Sequence, residues 1–160
     1  MRRRFRDATV PLFAVVIGID NYQNHRKLSG AVADANAVDA YLRCYLGVPE
    51  SRIRNLRDEQ ATRNAIIEAF LALGRDPDIS PGDAILIYFA GYGGEQKAPP
   101  GWERRGKTSQ VVIPQDADLT ASTHRPVPSI PGRTISALLD SLADKKGDNI
   151  VCLTSYLEQN

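Results

Sequence analysis

The sequence predicts an α/β domain: a parallel sheet of about four main strands flanked by three helices. Two observations carry this. Apolar, β-rich runs alternate with segments whose apolar residues recur at helical spacing, which is the pattern of right-handed βαβ units. The strongest runs are also apolar on both faces, as strands are when helices cover both sides of a sheet. Length agrees, because 160 residues suffice for one domain that buries about 70% of the surface its unfolded chain exposes.

The first run occupies 12–19, opened by Pro11 and ended by a polar loop at 20–25. Ala35, Val38, Leu42, Tyr45 and Leu46 then recur at helical spacing over 31–46, and Gly47 with Pro49 stops that helix. Cys44 falls beside Tyr45 on its apolar side, which predicts a core position. A short alternating segment at 52–56, with Ile53 and Leu56 as its apolar members, reads as a strand nearer an edge. Thr62 is placed to cap a second helix whose stripe is Ile66, Phe70 and Leu73, before Gly74 and Pro77 end it. After a turn at 80–83, residues 84–90 form the most strongly marked strand. Residues 91–109 read as a loop rich in Gly, Pro and charge, followed by a short strand at 110–113 and a Pro-punctuated loop at 114–132. Ile135, Leu138, Leu139 and Leu142 mark a third helix closed by Gly147, and 149–154 reads as the last strand. Within it Cys152 is expected to be a small buried hydrophobe.

Composition narrows the function. Twenty Lys and Arg against nineteen Asp and Glu leave a net charge of +1, so no global field draws nucleic acid or anionic lipid. Arg2, Arg3, Arg4 and Arg6 make residues 1–10 a basic, solvated N-terminal extension ahead of a domain over 11–160. Cys44 and Cys152 lie far apart with no metal-ligand spacing, which argues against a zinc site or a disulfide framework. The run at 12–19 is far below the ~20 apolar residues of a bilayer span. The expectation is a soluble, cytoplasmic protein that binds no cofactor, no metal, no nucleic acid and no membrane.

In open parallel sheets the chemistry sits beyond the carboxyl ends of the strands. That directs attention to 20–25, to 91–95 and to Ser155 onward. Gly91-Tyr92-Gly93-Gly94-Glu95 matches neither the GxGxxG nor the GxxxxGK[ST] phosphate loop. A glycine turn needing positive φ is compatible with it.

Residues 84–95 as a whole resemble the strand and loop of caspase- and metacaspase-like cysteine peptidases, where a hydrophobic strand runs into small-Gly-His-Gly. Residues 13–22 resemble that family's first strand, and Leu28-Ser-Gly-Ala-Val-Ala-Asp-Ala35 its L-x-G-x-x-x-D-A helix entry. Residues 48–62, 130–140 and 146–150 resemble the fungal branch. The resemblance covers about 11–151 and implies a three-layer caspase-like, flavodoxin-like parallel sheet flanked by helices, incomplete at the C-terminus. It also implies cysteine-type endopeptidase ancestry and a peptide or protein partner.

That chemistry needs a Cys thiolate as nucleophile and a His to handle the proton. The position of the family His, between two glycines, is occupied here by Tyr92. A phenol with an ordinary pKa near ~10 is no base at neutral pH and carries no positive charge to stabilise a thiolate. His25, in the loop after the first strand, is the only histidine near the same rim. The family strand after Gly-Asp-Asn-Ile runs into Asp-x-Cys-His-Ser-Gly. Aligned without gaps, its Asp falls on Ser155 and its Cys on Leu157, with Cys152 five residues too early. Asp34 matches the aspartate that in metacaspases helps bind a basic P1 side chain, a task suited to a carboxylate; the alternative is a solvated first-turn Asp. Gly93 matches the glycine whose N–H helps form the oxyanion hole, and Asp20 is placed to assist the same cleft. The strands that complete the family domain, and the caspase dimer interface, are expected to be absent.

Three readings follow. The first is a catalytically inactive caspase-like domain acting through binding. The second is a fragment of an active cysteine endopeptidase. The third is a ligand-binding flavodoxin-like domain unrelated to proteolysis.

Overall fold

A computed structural model describes residues 11–97, 101, 108–118, 120 and 124–158. The basic extension at 1–10 lies outside them. In chain order the elements are β1 (Leu12–Gly18), α1 (Ala31–Cys44), β2 (Ile53–Arg57), α2 (Arg63–Arg75), β3 (Ala84–Lys97), β4 (Thr108–Val112), β5 (Ile130–Pro131), α3 (Gly132–Lys146) and β6 (Ile150–Glu158).

Four strands are parallel. β1 pairs with β2 on one side and β3 on the other, and β3 also pairs with β6, so the parallel order is β2-β1-β3-β6. Two-sided burial of β1 follows from its alternation. Phe13, Val15 and Ile17 join one core cluster with Ile66, Phe70 and Leu142 of α2 and α3, while Ala14 and Val16 join a second with Ala35 and Leu42 of α1. Each large side chain buried this way contributes about 1.5–3 kcal/mol. The structure is therefore the layered α/β arrangement the sequence predicts, with three helices flanking the sheet.

Local signals are met at most boundaries. Thr62 caps α2, its Oγ1 accepting the Ala65 N–H at 3.2 Å, and α2 continues through Gly74 to Arg75. Gly47 and Gly147 take positive φ, 66° and 87°, just past α1 and α3, conformations that glycine adopts without steric cost.

Three expectations are corrected. Residues 91–97 are strand, not loop: β3 runs on through Gly91–Gly94 because it gains antiparallel pairing with β4, and the sheet is mixed at that end. Cys44 is exposed, since α1 turns its buried stripe of Ala31, Ala35, Asp39 and Leu42 inward and leaves Cys44 and Tyr45 outside. Cys152 is exposed as well. Its strand, β6, pairs with β3 alone among the described strands, so the pattern of a covered strand occurs at an open edge.

One acid has a clear structural task. Asp39, buried on α1, accepts from Asn55 Nδ2 at 2.9 Å and from Arg43 Nε at 3.0 Å. Burial pushes its pKa up, but the Asn55 and Arg43 hydrogen bonds outweigh this and hold it below its ordinary value of 3.8. A lowered carboxylate pKa stabilises the fold above the unfolded-state pKa, and that contribution disappears as pH falls through the folded value. Urea midpoints should therefore fall below pH ~4, and Asp39→Asn should flatten that part of the profile. An unchanged acid limb in Asp39→Asn would refute the assignment.

Candidate functional site

The carboxyl ends of β1 and β3 lie side by side, and the segment after β1 is pinned across them. The Ile19 N–H donates to the Ala90 carbonyl at 3.0 Å. The N–H groups of Asp20 and Asn21 both donate to Asp58 Oδ1 at 2.8 Å. Asp58 stands at φ 44°, a left-handed conformation that costs about 1 kcal/mol or more for a residue with a Cβ. These hydrogen bonds offset that strain. Asp20 in turn caps α1, its carboxylate oxygens accepting the Ala31 N–H at 2.9 Å and the Val32 N–H at 3.3 Å.

Tyr22 locks the loop to β3. Its Oη accepts the Tyr92 N–H at 2.7 Å, and the two rings lie 5.0 Å apart. It also sits over Gly91, where a Cβ would come within 2.5 Å of that oxygen. Burial raises the Tyr22 pKa far above the ordinary phenol range, so its hydroxyl stays protonated. His25 meets the edge of the Tyr22 ring at 5.9 Å. Burial lowers its pKa, against the pull of Ala117 and Asp118.

Between this segment and β6 lies an open cleft of about 530 Å³, whose walls include Arg26, Lys27, Asp34, Tyr92, Ser155 and Leu157. Its floor is set by strand register. Tyr92 is the Cα partner of Leu157 and Ala90 that of Ser155. Paired residues of parallel strands project from the same face, so Tyr92 and Leu157 share the face that borders the cleft, the Tyr92 ring buried against Tyr22 and Leu157 largely exposed. Tyr88, two residues before Ala90, has a raised pKa, chiefly from burial, with the nearby Asp34 charge adding to it and a hydrogen bond with Ser155 opposing.

The sequence-based candidates divide. Asp34 and Tyr92 meet in this cleft, while Asp20 is not among its lining residues and its carboxylate is engaged in capping α1. Gly93 lies within the sheet, paired with Val112 on one side and Glu158 on the other. The adjoining Ile113 N–H to Tyr92 carbonyl bond, 3.1 Å, makes Gly93 and Val112 a non-hydrogen-bonded pair, so the Gly93 N–H turns toward β6. A Cβ there would strike the Tyr156 ring at 2.7 Å, which explains the need for glycine. His25 does not line the cleft. Cys152 is the partner of Ile87, five ladder steps or ~16 Å from the Tyr92 level, and burial of its sulfur side raises its pKa. Sequence reasoning passed over Arg26, Lys27 and Asp58. No periodicity marks a positive-φ aspartate, but the two adjacent cations just before the α1 entry were legible.

The caspase domain profile matches residues 12–158. The chain belongs to the caspase domain family. This caspase domain is 30% identical over 146 residues to Metacaspase-2 of Arabidopsis thaliana, an alignment covering 80% of this chain and 33% of that protein. It is 30% identical over 143 residues to Metacaspase-1 of Mycosarcoma maydis, covering 80% and 34%. The domain thus spans about one third of the length of the curated relatives it matches. In fold it resembles the crystal structure of a Geobacter sulfurreducens protein, with a TM-score of 0.65 at 18% identity, covering 92% of this chain and 50% of that one. Among the described residues no group of three or more His, Cys, Asp or Glu is arranged to hold a metal ion. No helix among them is long and apolar enough to cross a membrane.

Proposed function

We propose that this caspase domain does not cleave peptides as it stands and acts by binding a peptide through the cleft at Asp34. The observation that carries the reading is the Tyr92–Leu157 pairing. In the resemblance drawn from sequence, these are the positions of the proton-handling His and the nucleophilic Cys. Adjacent strands bring the two together on one face, as a dyad requires, but with a phenol and an isobutyl group. Neither cysteine substitutes. Cys152 is too far from Tyr92, and its raised pKa keeps it a thiol at neutral pH, whereas the thiolate is the reactive form. Asp34 supplies a carboxylate that makes no ion pair among the described residues, of the kind that recognises a Lys or Arg side chain. The partner is then a protein or peptide with an exposed basic residue.

The purified chain should not cleave Arg-, Lys- or Asp-terminated reporter peptides above background, with or without calcium. It should bind an Arg-containing peptide, and Asp34→Asn should weaken that binding. Single-site cleavage abolished by Cys152→Ala would overturn the proposal.

A second reading is supported by coverage. The relatives are about three times as long as the matched region, so the domain could act as part of an active cysteine endopeptidase. Cleavage by a longer product, lost when a cysteine of that product is replaced by alanine, would favour that reading.

A further inference from the structure

The cleft holds charges of both signs that do not neutralise one another. Arg26, Lys27 and Asp34 all line it, yet among the described residues none of the three takes part in an ion pair. The segment that carries the cations is held in place. The Leu28 N–H donates to the Asp20 carbonyl at 2.9 Å, and Asp20 is itself fixed to the first turn of α1. Long side chains at 26 and 27 therefore leave from an anchored stretch of backbone, on the approach to the helix that carries Asp34.

We infer that the cleft reads a free C-terminal Arg or Lys. The basic side chain meets the Asp34 carboxylate, and the α-carboxylate of the same residue meets Arg26 and Lys27. Opposite charges that face one cavity without pairing invite a ligand that presents both complements at a fixed spacing. A terminal Lys does so, its ammonium and α-carboxylate being roughly 7–8 Å apart when extended, from six bonds of about 1.5 Å. An internal basic residue presents only the cation and leaves Arg26 and Lys27 unsatisfied. The cleft volume, about 530 Å³, lies within the usual range for small ligands and accommodates one such residue with part of the preceding one. This inference rests on the Asp34 binding reading and names its ligand: the new C-terminus left by cleavage after a basic residue.

The test uses four N-terminally fluorescein-labelled peptides and fluorescence anisotropy. They are Ala-Ala-Ala-Arg with a free carboxylate, the same sequence as its C-terminal amide, an amidated Ala-Arg-Asp-Ala, and Ala-Ala-Ala-Asp as control. The free acid should bind about three- to tenfold more tightly than its amide, the range expected for solvent-exposed charge pairs. The variant Arg26→Ala/Lys27→Ala should remove that difference between acid and amide. Asp34→Asn should weaken both. Equal affinity for acid and amide would overturn this inference and leave the Asp34 reading intact. Tight binding of the amidated Arg-Asp peptide would overturn it too, because the cations would then be reading an acidic side chain. No preference for either Arg peptide over the control, and no effect of Asp34→Asn, would overturn the Asp34 reading itself. All three substituted residues have exposed side chains, so circular dichroism should report an unchanged fold in both variants.

Discussion

Leu157→Cys combined with Tyr92→His and Ser155→Asp should react with iodoacetamide at pH 7 about tenfold faster than Leu157→Cys alone. The reason is register. Positions 92 and 157 are Cα partners, about 4.8 Å apart across a ladder and on one face. An imidazolium introduced at 92 stands beside a thiol introduced at 157 and favours its thiolate. A free thiol with pKa near ~8.5 is only a few per cent ionised at pH 7, and a neighbouring imidazolium makes the ionised form dominant. The gain is smaller than that change in population, because nucleophilicity falls as the thiol becomes more acidic. The alkylation rate should also follow a lower apparent pKa in the triple variant. Identical rates and pH profiles in the two proteins would mean that the positions do not form a dyad geometry. Peptide cleavage is the more demanding readout, since the Gly93 N–H faces β6 rather than the cleft.

The second large effect is on stability. Gly18→Ala should destabilise the domain by about 2–3 kcal/mol, at the upper end of overpacking costs. For a chain of this size that lowers Tm by about 5–10 °C. At the end of β1 a Cβ would lie 2.5 Å from the Ala35 Cβ and 2.8 Å from the Ala31 carbonyl oxygen. Neither neighbour can rotate away, because one is a methyl on a helix and the other is helix backbone. Relief requires α1 to move off the sheet, and its first turn is tied to Asp20. The cleft should therefore loosen with the fold. Gly94→Ala is the control, because nothing lies within 4 Å of a Cβ at that position. A calorimetric Tm for Gly18→Ala equal to that of Gly94→Ala would sink the close-packing account.

Much of this architecture was legible because burial writes itself into periodicity. β1 and the first half of β3 are apolar on both faces, and both are covered on both sides. The helices were legible from their stripes and stops, down to the Thr62 cap. The second half of β3 was not, because Gly91–Gly94 carries every mark of a turn. Its strand conformation comes from partners distant in sequence, β4 on one side and β6 on the other. The cysteines failed for a related reason. Residues 150–157 contain no charged side chain and read as a strand inside a sheet, yet Val151 and Leu153 are about half exposed, at 51% and 50%. Side-chain character records what a strand is suited to pack against, not whether that neighbour is present. The Tyr92 and Leu157 positions were found by aligning motifs, and the register of β3 with β6 then placed them together. The α1 cap at Asp20 was out of reach, because it depends on how a loop folds back eleven residues.

β3 has a further consequence for how the chain finds its fold. It is the one strand to which β1, β4 and β6 are all joined. Its β1 partner, Leu12 against Ala84, lies about seventy residues away in sequence. Closing such loops costs entropy before any contact compensates for it, so a sheet of this connectivity belongs among the slower folders, in the millisecond-to-second range or beyond. β1 and β2 can pair earlier, around α1, but they leave one flank of β1 bare until β3 arrives. Assembly is thus gated by a single segment. Changes within β3 should act on the folding rate, whereas changes in β6, which docks onto a β3 already in place, should act mainly on the unfolding rate.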